Sequence, residues 1–280
     1  VDEGVGFDAL NTLARGAAHG ANECMKHREV LQAALGNSGP LAARQGRGAL
    51  ADDLCAAAAA GLMTPLTALL GRAGEVAVDA RNSSGQTALL MAATGGHTAA
   101  IAVLLEAGAA VDGTGGRHDM TPLIAAAAGG HTAAIKMLLN ARAAVDAASD
   151  GGFTALAQAA GGGYTEAMAA LLEAGAAVDG TGHTGLTPLI VAAINSTPHA
   201  TGQVAASTAL IEAGATVDAK TVDGLTALAL SAGRGLTPMI VTLIKAGAAV
   251  DGTDNQGQTA LMSAAAKGHL EAIAALCEAG

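Results

Sequence analysis

The chain has 280 residues, 51% of them hydrophobic, which is ample material for a buried core and excludes a disordered polymer. Aromatic residues make up only 1% (Phe7, Phe153 and Tyr164), so that core must be built from Ala, Leu, Ile, Val and Met. The net charge of −10 arises entirely after residue 50, where nine basic residues face nineteen acidic ones; such a surface repels phosphate backbones and argues against nucleic acid as a partner.

Residues 1–50 are irregular, with helices expected over 7–18 and 21–35 and then a loop, GNSGPLAARQGRG, whose Gly, Pro and Arg content marks a boundary before Ala51. This segment is either a cap for the residues after it or part of another domain. The three cysteines, Cys24, Cys55 and Cys277, are far apart and odd in number, which points to reduced thiols in an intracellular, cytoplasmic setting. Two uncharged runs, 54–71 and 185–211, are interrupted by Pro, Gly and Thr, and neither reads as a membrane span.

From residue 51 to 280 a pattern recurs. Thr opens a unit at Thr87, Thr121, Thr154, Thr187, Thr226 and Thr259, in steps of 34, 33, 33, 39 and 33. Asp closes it at Asp112, Asp146, Asp179, Asp218 and Asp251. A period near 33 signals stacked supersecondary units. Thr suits an N-cap, and Pro122 and Pro188 suit the first helical position, where a missing N–H costs nothing. Leu follows two residues after every Thr, with Ala pairs one turn later, which is the buried stripe of a short helix. Gly pairs such as Gly95–Gly96 end it. A second helix carries Ile101, Ile135, Met168, Ile240 and Ile273 at one position and ends in E-A-G or K-A-G, with Gly at the left-handed cap. The sequence A-A-V-D and a Gly-rich tip then lead to the next Thr.

The consensus G-x-T-P-L-x-x-A-A-x-x-G-H-x-x-x-I-x-x-L-L-x-x-G-A-x-V resembles the ankyrin repeat over residues 51–280. The resemblance implies an all-α, ankyrin-type helix-turn-helix solenoid with short β-hairpin fingers. Six clear units are preceded by a degenerate one at 51–82, in which Leu54 takes the place of Thr. Two departures stand out. The His that usually follows T-P-L in the family is replaced throughout (Leu90, Ile124, Ala157, Ile190, Ala229, Met262), removing a polar link between repeats. Arg142 stands where other units have Gly, so its backbone is expected to be strained. In the last unit Ala272, Ile273 and Leu276 are expected to leave an apolar flank open, as in a fragment of a longer chain, and so to drive self-association.

Few residues invite chemistry. Gly180–Gly185 spells G-x-G-x-x-G, but the same register holds other finger tips and no acidic residue follows about 20 positions on, so no cofactor is called for. His97, His131 and His269 share one position; stacked helices roughly 8–10 Å apart cannot bring them to one metal at about 2.0–2.1 Å, and they read as hydrogen-bonding groups at the start of the second helix. Cys24-x-x-His27 is half of a metal site without a second half. Cys277 stands where other units have Leu or Ile and is expected to be buried.

A residue required in every unit serves the scaffold, so recognition must sit where units differ. The resemblance implies a concave face lined by finger tips and first-helix ends. There the variable residues are Arg117, His118, Met120, Phe153, His183, Leu186 and Leu225, together with Asn195 and His199 in the six-residue excess of the 39-residue unit, placed at 194–201. Met120, Phe153, Leu186 and Leu225 each precede an opening Thr, and an apolar row there suits a helix or extended peptide. The expectation is a non-catalytic interaction scaffold or adaptor with a protein partner, no nucleic acid, no metal and no cofactor. The alternatives are a targeting module of a larger enzyme or signalling protein and an unselected repeat expansion.

Overall fold

The computed structural model describes residues 47–72, 75–116, 118–181, 185–196 and 201–280. The helices expected over 7–18 and 21–35, and Cys24 and His27, lie outside them. Helix α1 (Arg47–Ala59) runs across the boundary expected at Ala51 and is followed by α2 (Met63–Leu70), α3 (Ala88–Thr94), α4 (Thr98–Glu106), α5 (Pro122–Ala128) and α6 (Thr132–Asn140). Then come α7 (Ala155–Gly162), α8 (Thr165–Glu173), α9 (Pro188–Asn195), α10 (Thr201–Glu212), α11 (Ala227–Gly233), α12 (Thr237–Lys245), α13 (Ala260–Lys267) and α14 (Leu270–Ala279). The fold is all-α, of the solenoid class expected. No described helix is long and apolar enough to cross a membrane.

The chain divides into two compact units, residues 1–143 and 144–280. In the first, α3 packs between α1 and α5, and α4 between α2 and α6. In the second, the first helices of successive pairs (α7, α9, α11, α13) pack in order, as do the second helices (α8, α10, α12, α14). Every opening Thr caps its helix through Oγ1, which accepts the N–H three residues on at 3.2–3.3 Å. Leu89, Leu123, Leu156, Leu189 and Leu228 are fully buried, and so are the Ala pairs at 92–93, 126–127, 159–160 and 192–193 that let helices approach closely.

Two recurring sets of hydrogen bonds tie neighbouring repeats. At the finger end an Asp carboxylate accepts a backbone N–H of the following repeat: Asp79 from Ala110 (3.0 Å), Asp146 from Ala177 (2.9 Å), Asp179 from Thr216 (3.0 Å) and Asp218 from Ala249 (3.0 Å). Asp79 belongs to this series one step of 33 before Asp112. At the other end, the turn between paired helices, a side chain reaches back to a carbonyl of the preceding repeat. His97 Nε2 meets Ala59 O (2.9 Å), His131 Nε2 meets Thr94 O (3.0 Å), Gln203 Nε2 donates to Gly161 O (3.2 Å) and His269 Nε2 meets Gly233 O (3.3 Å). The histidines therefore bond between repeats rather than to their own helix, whose N-cap receives no side-chain bond. Bonds of this kind contribute about 0.5–1.5 kcal/mol each.

The turn ladder corrects the register of the first repeat. Each bond ends seven residues after an opening Thr, and Ala59 places that opening at Asp52, not Leu54. Leu54 instead takes the buried place of Leu89, Ala57 and Ala58 take those of Ala92 and Ala93, and Cys55 that of Leu90. Asp52 caps nothing in its own helix, because α1 has already begun at Arg47; its Oδ1 accepts the Ser83 N–H at 2.7 Å.

Arg142 has φ +67, where Gly108, Gly175, Gly214 and Gly247 in other repeats have φ +86, +88, +93 and +88. The left-handed region costs a side-chain-bearing residue about 1–2 kcal/mol, and the cap bonds Arg142 N–H to Leu139 O (2.9 Å) and Ala143 N–H to Leu138 O (3.0 Å) hold it there. Arg142→Gly is expected to raise stability by about 1 kcal/mol once the greater freedom of Gly in the unfolded chain is offset, read as a higher urea midpoint with unchanged slope.

Candidate functional site

The fingers are tight turns, each closed by backbone pairing no longer than a single antiparallel bridge among the described residues: Gly115 with Met120, Ala148 with Thr154, and Thr253 with Thr259. A recurrent side-chain lock sits five residues before the opening Thr. Asn82, Ser149, Thr221 and Asp254 each accept, through a side-chain oxygen, the N–H of the residue that precedes that Thr: Gln86 (2.8 Å), Phe153 (3.3 Å), Leu225 (3.2 Å) and Gln258 (2.9 Å). The lock fixes the backbone from which Phe153 and Leu225 project. Its signal in the sequence is an Asn, Ser, Thr or Asp at that spacing.

Of the four apolar positions, Met120, Phe153 and Leu225 are half-buried, whereas Leu186 is only 4% exposed. The Phe153 ring lies across its own finger, 3.1 Å from where a Cβ on Gly151 would stand. Beside Leu225 the tip residue Val222 is 68% exposed, a large apolar contact that alternation of the pattern does not reveal. His118 is half-buried next to Asp119, whose φ of +47 marks a strained tip. Arg117, His183 and His199 lie outside the described residues.

Several polar finger residues are committed to the scaffold. Arg81 Nη1 donates to Gly85 O (2.9 Å), Lys220 Nζ to Thr253 O (2.8 Å) and Asn255 Nδ2 to Val222 O (3.0 Å). The latter two bonds join neighbouring fingers and stiffen the surface around Val222.

The long unit keeps its register on both sides of the excess. Gln203 stands eleven residues before the left-handed Gly214, just as His97 stands before Gly108, so the six extra residues lie between Asn195 and Gln203. They lengthen the second helix at its start, since α10 has 12 residues where α4, α6, α8 and α12 have 9. Asn195 is half-buried, with Nδ2 only 2.4 Å from the Cβ that Gly161 lacks.

The buried thiol of Cys55 is not a nucleophile in waiting. Burial pushes Cys55 up to about 12, outweighing the opposing Asn82 backbone hydrogen bond, and its Sγ–H donates to Gln86 O at 3.3 Å. Cys277 is exposed, contrary to expectation. Ala272 and Leu276 are buried and Ile273 half-buried, because α14 turns that face onto α12 and α13. The exposed apolar side chains of the last repeat are instead Leu261, Met262 and Leu270, with Met262 at 56% where its counterpart Ile124 is fully buried.

A run of capped helix pairs with locked fingers, tied by two ladders of hydrogen bonds, defines a repeat protein whose variable surface is carried on a repeated frame. The chain belongs to the ankyrin repeat family: the profile described as ankyrin repeats (3 copies) matches residues 54–149 and 200–280. The human ASB11 ankyrin repeat domain is 30% identical over 81% of this chain and 97% of its own, with a TM-score of 0.67. The ankyrin repeat domain of Bcl-3, described as a unique member of the IkappaB protein family, is 27% identical over 80% of this chain and 97% of its own, with a TM-score of 0.65. A search of curated proteins found no match. Ankyrin repeats are generally protein-interaction modules without catalytic activity.

Proposed function

We propose that the chain is a non-catalytic scaffold or adaptor that holds a protein partner on its finger-tip face. The observation that carries this reading is the set Phe153, Leu225 and Val222. These are apolar side chains left part-exposed or exposed on fingers whose backbone is locked and whose neighbouring polar groups, Lys220 and Asn255, are spent on the frame. Rigid apolar anchors of this kind carry most of the energy in protein interfaces, and holding them in place beforehand reduces the entropy lost on binding. The acidic balance disfavours nucleic acid. Free thiols at Cys55 and Cys277 support an intracellular, cytoplasmic setting.

The test is proximity labelling with the full-length protein, repeated with Phe153→Ala and Leu225→Ala together. Leu186 is left intact, because truncating so buried a side chain would act through stability. The double variant is expected to lose its specific partners by about tenfold or more, since two anchors each carry upward of 1 kcal/mol. Retention of every partner by a variant that melts at the wild-type temperature would overturn the reading.

A further inference from the structure

Eight residues after each opening Thr the chain reaches the turn between paired helices. In residues 75–143 the positions are Gly95 and Gly129; from residue 144 on they are Gly162, Asn195, Arg234 and Lys267. The glycines are required by the ring two residues later: a Cβ at Gly129 would stand 2.4 Å from His131 Nε2, and one at Gly162 2.2 Å from the Tyr164 ring. Leu236 replaces that ring after Arg234, whereas His269 keeps one after Lys267, and these two repeats alone carry a long basic side chain at the position.

Arg234 and Lys267 belong to adjoining turns. His269 Nε2 rests on Gly233 O (3.3 Å), and its Nδ1 lies 2.6 Å from where a Cβ on Gly235 would stand, so the turn that carries Lys267 closes directly on the residues flanking Arg234. The Arg234 side chain is half-buried and its guanidinium makes no hydrogen bond or ion pair among the described residues. Lys267 is exposed. Residues 144–280 hold only four basic side chains against twelve acidic ones. Of the other two, Lys220 is bound to Thr253 O, and Lys245 ends α12 at the finger end of the repeat. Arg234 and Lys267 thus share one register position in consecutive repeats, and neither side chain has a protein acceptor among the described residues.

We propose that this turn edge of the second unit docks an acidic segment of a protein partner, with one carboxylate on Arg234 and a second on Lys267. The assignment rests on the protein-interaction reading above but uses the opposite end of the repeats from the fingers. Burial already pulls the Arg234 guanidinium below its ordinary value, and a carboxylate that pairs with its planar fork would compensate that desolvation. A helix C-terminus favours any nearby cation, yet it does not account for a half-buried one with no acceptor. Stacked repeats lie roughly 8–10 Å apart; on an extended chain only alternate side chains share a face, about 6.6 Å apart at 3.3 Å per residue, and the long Arg and Lys stems span the difference, so the segment has acidic residues at i and i+2. The acidic surroundings favour a short segment over a polyanion such as nucleic acid.

The experiment uses the 280-residue chain and a fluorescein-labelled peptide, Gly-Glu-Ala-Glu-Gly, with a control in which both glutamates are glutamine; binding is read by anisotropy at low salt. The glutamate peptide is expected to bind at least about tenfold tighter than the control, and Arg234→Gln with Lys267→Gln to abolish the difference. Arg234→Lys is expected to retain part of it, since the charge remains without the fork. Equal binding by wild type and double variant, or by the two peptides, overturns the proposal. So does displacement of the peptide by millimolar inorganic phosphate, which would make the place a simple oxyanion site, and so does a double variant that loses only melting temperature, which would reduce both cations to helix-end charges. The Phe153→Ala, Leu225→Ala variant is expected to bind the glutamate peptide normally, so failure of the finger reading and failure of this one are separable.

Discussion

Gly163→Ala is expected to destabilise the second unit by about 3 kcal/mol or more, from two additive causes. Gly163 has φ +71, and the left-handed region costs an alanine about 1–2 kcal/mol. A Cβ there would also stand 2.7 Å from Gly202 C, 2.9 Å from Gln203 N and 3.0 Å from Gly202 Cα. These are backbone atoms of the first turn of α10, which cannot rotate away as a side chain would. To relieve them α10 must move off the preceding turn, taking with it the Gln203 bond to Gly161 O. Gly268→Ala supplies the control, because Gly268 has nearly the same φ, +74, with nothing within 4 Å of an added Cβ. It is expected to lose only the conformational part, about 1 kcal/mol. Urea unfolding of both variants separates the two causes, and equal losses would mean that the lengthened helix is not held against the Gly163 turn.

Most of the frame is legible from single residues because each repeat must solve the same local problem. Thr two residues before a buried Leu stripe has to cap a short helix, and all six do. Gly after E-A or K-A has to supply a left-handed residue, and the position at which Arg142 replaces it keeps the conformation at the expense of strain. What the pattern misplaces has physical reasons too. Leu54 aligns with Thr in the sequence because the first helix has no Thr to count from; only the His97 bond to Ala59 locates the register at Asp52. The column of Cys277 points to the interior, but burial depends on what packs against a face, and no described residue covers that one. The surface is less legible than the frame. Leu186 and Leu225 look alike in sequence, yet one is buried and the other half-exposed. Arg234 and Lys267 stand in a column that otherwise reads as a helix stop, and only the bond between His269 and Gly233 shows that their turns touch.

Ser207→Ala combined with Ser231→Ala is expected to raise stability by about 2 kcal/mol, the reverse of the usual effect of altering a core. Counting back seven residues from the left-handed cap, Ser207 occupies the place of Ile101, Ile135, Met168 and Ile240. Counting five from the opening Thr, Ser231 occupies that of Ala92, Ala126, Ala159, Ala192 and Ala264. Both are fully buried, and neither hydroxyl has a hydrogen-bond partner among the described residues. An unsatisfied buried hydroxyl costs about 1–3 kcal/mol, and alanine is the better helix former by roughly half a kcal/mol. The gain should appear as a rise of about 2–4 °C in melting temperature per kcal/mol. The two residues fall in adjoining repeats, on α10 just after the six-residue excess and on α11 just before Arg234. If stability there is the sum of repeat and interface terms, the serines make this stretch the first to open, and their replacement should slow amide exchange in α10 and α11 more than in α7 and α8. Uniform slowing, or none, would show that the hydroxyls are satisfied and that the serines are neutral occupants of the core.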